Sequence, residues 1–335
     1  MRKAWTFAAL AAATLIAGPA LADWKPNKPV TIIVPWAAGG STDQVTRITA
    51  SELEAMLGQK VVIVNQPGAS GSIGTKNALE AQKDGYTWTA GAAQDLGVYK
   101  VLGMLDTSIK DWHLFLNVAN VSVVGVNPSA PFKDMKELLA AMKAKPNQVT
   151  VATAGLTSAG HKAIEAIARA AGVTYRHVTY DGGNPAVVAT VSGETQVTTQ
   201  LAVEQAEMIR GKRLRPLATV GDKPLTLEGY GTIPPMTTVL PKFSEPTNYF
   251  GIFVPKGVPQ DVVDTLNKIW AEKMPKSEAL RKYAENRGAL FAPAAGEEAQ
   301  KLVFPAVQAN AWTLQESGKA KVSPDTVGIP KPSSM

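Results

Sequence analysis

A chain of 335 residues that is 45% hydrophobic and contains no cysteine can build sizeable cores, but it offers no disulfide, thiolate metal site or cysteine nucleophile. Its formal charge of +6, less the two cations Arg2 and Lys3 of the N-terminal segment, leaves +4. Lys and Arg are interspersed with Asp and Glu, so a pI near 9.3 describes a mixed solvated surface and excludes a nucleic-acid footprint.

The first 22 residues read as an export leader: Arg2 and Lys3, an apolar run over residues 4–17, then Ala20, Leu21 and Ala22 as a small-x-small cleavage site. The run is shorter than the roughly 20 residues that span a bilayer, so residues 1–22 are set apart from the fold. Next, Val30, Ile32, Ile33 and Val34 predict a buried strand, Gly39 and Gly40 a turn of close backbone approach, and Ser41, Thr42 and Asp43 a helix start. Val45, Ile48, Leu53 and Leu57 continue that helix at roughly helical spacing. Free N–H groups and the positive end of the helix dipole then face whatever lies over the glycines, which outlines an anion socket.

The alternation continues with a strand at 60–65, a helix at 75–82, strands at 86–90, 114–118 and 122–126, and a helix from Phe132 and Asp134 to Met142. A second socket follows: a strand at 148–152, a small-residue loop at 153–158 and a helix at 159–171. The third has a strand at 175–179, the loop Tyr180 to Asn184, and a helix with Pro185 in its first turn that Gly193 ends. Strands at 195–199 and 214–220 flank a helix at 203–210, and the Pro-rich stretch 223–246 reads as irregular linking chain. A strand at 250–254 and helices at 260–273, 277–287 and 297–317 close the pattern. Pro305 is expected to interrupt or kink the last of them, and the tail after Lys319 to be mobile.

Mostly parallel sheets with crossover helices, and two glycine sockets in separate halves, predict an α/β protein of two doubly wound lobes with a ligand cleft between them. One lobe takes residues 23–125 and 248–335, the other 126–247. No GK[ST] or GxSxG occurs, Gly68, Gly71 and Gly74 are spaced GxxGxxG, and His113, His161 and His177 lack metal-site spacing. No catalytic group, metal or cofactor is therefore assigned. Trp36 is read as a cleft wall or a cover for the strand edge, and Gln94 and Gln200 as amide donors to the cleft or solvated turn residues. The stretch 68–74 is either a third donor loop or a link that caps the next helix.

Taken together, Pro35-Trp36-Ala37-Ala38-Gly39-Gly40-Ser41-Thr42-Asp43, Leu57-Gly58-Gln59, Asn65-Gln66-Pro67-Gly68-Ala69 and Asp84-Gly85-Tyr86-Thr87 closely resemble the tripartite tricarboxylate transporter binding proteins, the Bug or TctC-like receptors. Ala154-Gly155 through His161, His177 to Tyr180, residues 193–215 and Tyr249-Phe250-Gly251 extend the resemblance over about 30–317. It implies a monomeric periplasmic receptor, similar to type II periplasmic binding proteins, that closes on a small carboxylate such as a dicarboxylate or aromatic acid. It also implies delivery to a permease of one large and one small membrane subunit. By resemblance the grip falls to Gly39, Gly40, Ser41, Thr42 and Asp43 in one lobe and to Ala154, Gly155, Thr157, Ser158 and His161 in the other. Many members carry Lys or Gln with Gly where Asp181 follows Tyr180, and Asp-Asn where Gln200-Leu201 stands, which marks those positions for selectivity. Two rivals remain: an exported hydrolase or lyase using Ser41 or Ser158 with His161, and a sensory receptor for a membrane kinase.

Overall fold

Val30, Ile32 and Val34 are fully buried because β1 (Val30–Val34) lies between two parallel neighbours, with helices on both faces of its sheet. The computed structural model describes residues 23–332, so the expected leader lies outside the described residues. After β1 come α1 (Ser41–Leu57), β2 (Val61–Asn65), α2 (Ser72–Glu80), β3 (Thr87–Ala92), α3 (Ala93–Val98) and β4 (Trp112–Asn120). The chain then passes through β5 (Val123–Val126), α4 (Met135–Ala144), β6 (Thr150–Thr153), α5 (Ala159–Ala171), β7 (Arg176–Thr179) and α6 (Gly183–Ser192). Next are β8 (Val197–Thr198), α7 (Ala202–Arg210), β9 (Arg215–Thr219) and the hairpin β10 (Leu225–Leu227) with β11 (Gly231–Ile233). It returns as β12 (Asn248–Pro255), α8 (Gln260–Glu272), α9 (Glu278–Arg287), β13 (Ala289–Ala295) and α10 (Gly296–Glu316).

Two principal sheets result, in the orders β13-β4-β12-β3-β1-β2 and β7-β6-β8-β5-β9. They are mixed where mostly parallel sheets were expected. β4 leads out of the first sheet and β12 leads back into it, so these two crossing strands run antiparallel to each other. β5 lies wholly in the second sheet, and a division between 125 and 126 would cut it. Helices cover both faces of each sheet. Val45, Leu53, Val262 and Leu280 pack on one face of the first and Ala78, Leu96, Val303 and Val307 on the other. Leu138 and Ile164 cover one face of the second, Val187 and Ala206 the other.

Four local expectations are corrected. The 223–246 stretch contains the β10–β11 hairpin and a 3-10 turn whose Met236 is fully buried. β13 has no counterpart in the reading because Pro293 breaks its strand pattern; it is an edge strand whose register shifts between Phe291 and Ala294, where a proline is tolerated. α10 continues through Pro305, and the carbonyl that loses its partner belongs to Lys301, an exposed residue that water can serve. The tail is packed: Lys321 and Val322 donate their N–H groups to the Val101 carbonyl, and the indole N–H of Trp312 bonds to the Ile329 carbonyl. Two buried residues, Pro324 and Ile329, anchor a segment whose composition is otherwise that of a solvated end.

Candidate functional site

The first socket forms where expected, at the carboxyl end of β1. Gly39 takes φ +82°, a conformation that favours glycine, whereas Gly40 at φ −73° is ordinary extended backbone. Gly40 is the N-cap of α1 and no side chain from α1 itself caps the helix. The cap comes from the other half of the molecule: Glu204, on α7, accepts the Ser41 N–H at Oε1 (2.9 Å). Its carboxylate also accepts the Leu201 N–H at 3.3 Å. The orientation that satisfies both ends of the Gln200 amide has its oxygen accepting the Ala154 N–H (2.6 Å) and its nitrogen donating to Glu204 Oε2 (3.2 Å). Burial raises the pKa of Glu204, with the hydrogen bonds from Ser41 and Leu201 only partly opposing it.

These groups surround a cavity of about 30 Å³ between the two sheets. Of the residues expected at the site, Trp36, Gly40, Ser41 and Thr42 line it from the first sheet and Ala154, Ser158 and Gln200 from the second. Sequence reasoning missed Asp95 on α3, Glu204, Gly183 and Phe250, which also line it. Asp95 is 5% exposed, its Oδ1 has no hydrogen-bond partner, and burial raises its pKa well above the ordinary carboxylate value despite the attraction of Lys162. A period-free helix of six residues gives the sequence no signal for Asp95. Glu204 reads as one polar residue on an amphipathic helix.

The remaining candidates lie outside the cavity wall, each for a definite reason. Asp43 accepts from Gly39 N (2.9 Å), both Arg47 nitrogens (2.9 and 2.8 Å) and Asn65 Nδ2 (3.0 Å), so it fixes the glycine turn from behind. Gln94 is buried and its oxygen accepts from Lys162 Nζ at 2.8 Å. Gly155 and Thr157 meet the 68–74 stretch: the Leu156 N–H bonds to Ser70 Oγ (3.1 Å) and Thr157 Oγ1 donates to the Ser70 carbonyl (2.8 Å). That stretch therefore caps α2 through Gly71 and bridges the halves, and it is absent from the cavity wall. Asp181 is exposed, and its carbonyl accepts the Ala37 N–H (2.9 Å), a further bridge; Tyr180 donates its hydroxyl to Glu194 at 2.8 Å.

His161 is displaced furthest from its expected role. Ser158 Oγ caps α5 by accepting the backbone N–H of His161 (3.2 Å) and donates to the Gly155 carbonyl (2.8 Å). The His161 ring instead meets the Leu156 carbonyl through Nδ1 (3.0 Å) and packs on His177 at 4.7 Å between centroids. Burial, then the neighbouring His177, lowers its pKa to about 3, with Glu165 opposing. The imidazole is thus a neutral core group, and the serine–histidine pair of the hydrolase reading does not form.

Residues 45–317 match the family model described as the tripartite tricarboxylate transporter family receptor. Protein BugT of Bordetella pertussis is 29% identical over 308 residues, covering 90% of this chain and 93% of its own. The UPF0065 protein in the tcbD-tcbE intergenic region of Pseudomonas sp. (strain P51) is 32% identical over 254 residues, 73% of each chain. The solved structure of the periplasmic binding protein BugD superposes with a TM-score of 0.80 at 25% identity, covering 88% of this chain and 99% of that one.

Proposed function

Because the chain belongs to the tripartite tricarboxylate transporter family of receptors, we propose that it captures a small organic carboxylate between its lobes and hands it to the large and small subunits of a membrane permease. The family is one of solute-binding proteins, not enzymes. The observation that carries the reading is the cavity at the carboxyl ends of β1 and β6, walled from both sheets, which is where open α/β sheets place ligands. We take the lobes as the two sheet units, with the chain crossing at residues 121–122 and again before 248. Export through cleavage after residue 22 and action as a monomer belong to the same proposal. No helix among the described residues is long and apolar enough to cross a membrane.

The ligand's carboxylate is held by the hydroxyls of Ser41 and Thr42 and by the Ala154–Ser158 loop, because Glu204 already takes the Ser41 N–H. A micromolar ligand requires about −8 kcal/mol, and charge-assisted hydrogen bonds supply roughly 1.5–3 kcal/mol each before the cost of immobilisation. A few such bonds suffice without a cationic side chain. A cavity of about 30 Å³ has room only for water, so entry requires the lobes to part. The test is a thermal-shift screen of carboxylic acids, then calorimetry and mass analysis of the recovered ligand. One unaltered ligand per chain is expected; catalytic loss of the ligand would overturn the proposal.

A further inference from the structure

The ionisable side chains that line the cavity are both carboxyls. Asp95 and Glu204 both line it, from α3 and α7, and its lining residues include no Lys, Arg or His. Lys162 on α5, the cation that acts on Asp95, is already occupied: its Nζ lies 2.8 Å from Gln94 Oε1 and 2.8 Å from Glu245 Oε1. Asp95 is 5% exposed, and its Oδ1 meets no donor. A buried carboxylate oxygen without a donor is a recognition group in need of one. Glu204 differs, since its carboxylate already holds the Ser41 and Leu201 N–H groups. In doing so it takes the positive end of α1 that a ligand carboxylate would otherwise use.

We propose that the cavity selects a ligand that carries a protonated nitrogen besides its carboxylate, with Asp95 meeting the nitrogen and Glu204 denying the α1 N-terminus to a second ligand carboxylate. The proposal rests on the receptor reading above and narrows its substrate class from organic acids in general to acids that bear an ammonium group. Trp36 and Phe250 line the same cavity, and aromatic rings favour a neighbouring cation. A dicarboxylate would instead place its second carboxylate beside Asp95 and Glu204 and could stay only if one of these buried carboxyls took up a proton, whereas an ammonium group pairs directly with ionised Asp95.

Calorimetry with matched probes tests this on the purified protein. Succinate is paired with β-alanine and glutarate with 4-aminobutyrate, so that one carboxylate is exchanged for an ammonium group; propylamine and propionate report each end alone. The ammonium-bearing acid is expected to bind at least about 100-fold more tightly than its dicarboxylate partner. Asp95→Asn, shown to be folded by its melting curve, should weaken the amine probes by about 10- to 100-fold, and Glu204→Gln should improve the dicarboxylates. Dicarboxylates that bind more tightly than their partners, with the ranking unchanged in Glu204→Gln, would overturn the proposal and leave the carboxylate receptor standing. Failure of every amine-bearing probe to bind overturns it too. Binding of propylamine without binding of any carboxylate would keep the role of Asp95 and remove the carboxylate reading instead.

Discussion

Asp43 holds the ligand loop from behind, and that role sets a measurable pH dependence. Burial pushes its carboxyl up, but hydrogen bonds from Arg47, Gly39 and Asn65 outweigh burial and leave it below the ordinary value of 3.8. A depressed carboxyl stabilises the fold fully above the unfolded value and loses that contribution as pH falls through the lower folded value. Asp43→Asn should therefore cost about 1–3 kcal/mol at neutral pH, and its melting temperature should converge on that of the parent protein as pH falls below 3.8 and through the lower folded value. A gap that stays constant from pH 7 to 3 would show that shape, not charge, holds the turn. The sequence made this carboxylate legible as a helix-start residue, because Gly39-Gly40-Ser41-Thr42-Asp43 precedes a periodic apolar run. The cap on Ser41 was not legible, since Glu204 stands 163 residues away and no local pattern joins them.

At the scale of elements, α1, α5 and β1 through β3 follow from periodicity and cap chemistry, with α5 running over Ala159–Ala171 as expected. The sockets share a design but differ in what closes them: α5 is capped by its own Ser158, α1 by a carboxylate from the facing half. The elements that escaped prediction are stabilised by neighbours instead of their own pattern. α3 packs against α10, and β13 borrows its ladder from β4 despite Pro293. The C-terminal tail belongs with them, because its packing depends on Val101, Trp312 and Ile329 together. Ile329 is 6% exposed and packs in the same core as Leu314 and Val303. Ile329→Ala should destabilise the protein by about 2–4 kcal/mol, read as a lowered denaturant midpoint with an unchanged slope. An unchanged midpoint would mean that the tail does not pack in solution.

For the whole molecule, an apolar core runs without interruption across the gap between the sheets: Trp36, Val45 and Phe250 share one buried cluster with Ala154, Ala159 and Leu201. Polar bridges rim it, from Ala37 to Asp181, from Ser70 to Leu156 and Thr157, and from Ser41 to Glu204. With no cysteine in the chain, no disulfide ties the lobes beyond the two chain crossings, and the lobes must separate for the ligand to pass. A disulfide across the rim tests this directly. Ala37→Cys with Asp181→Cys places the pair where the two main chains are in hydrogen-bond contact, 2.9 Å from nitrogen to oxygen. The account predicts that protein oxidised before ligand is added does not bind, that protein oxidised afterwards does not release, and that reduction restores both. Ligand that enters and leaves the oxidised protein as freely as the reduced protein would contradict a site closed between the lobes.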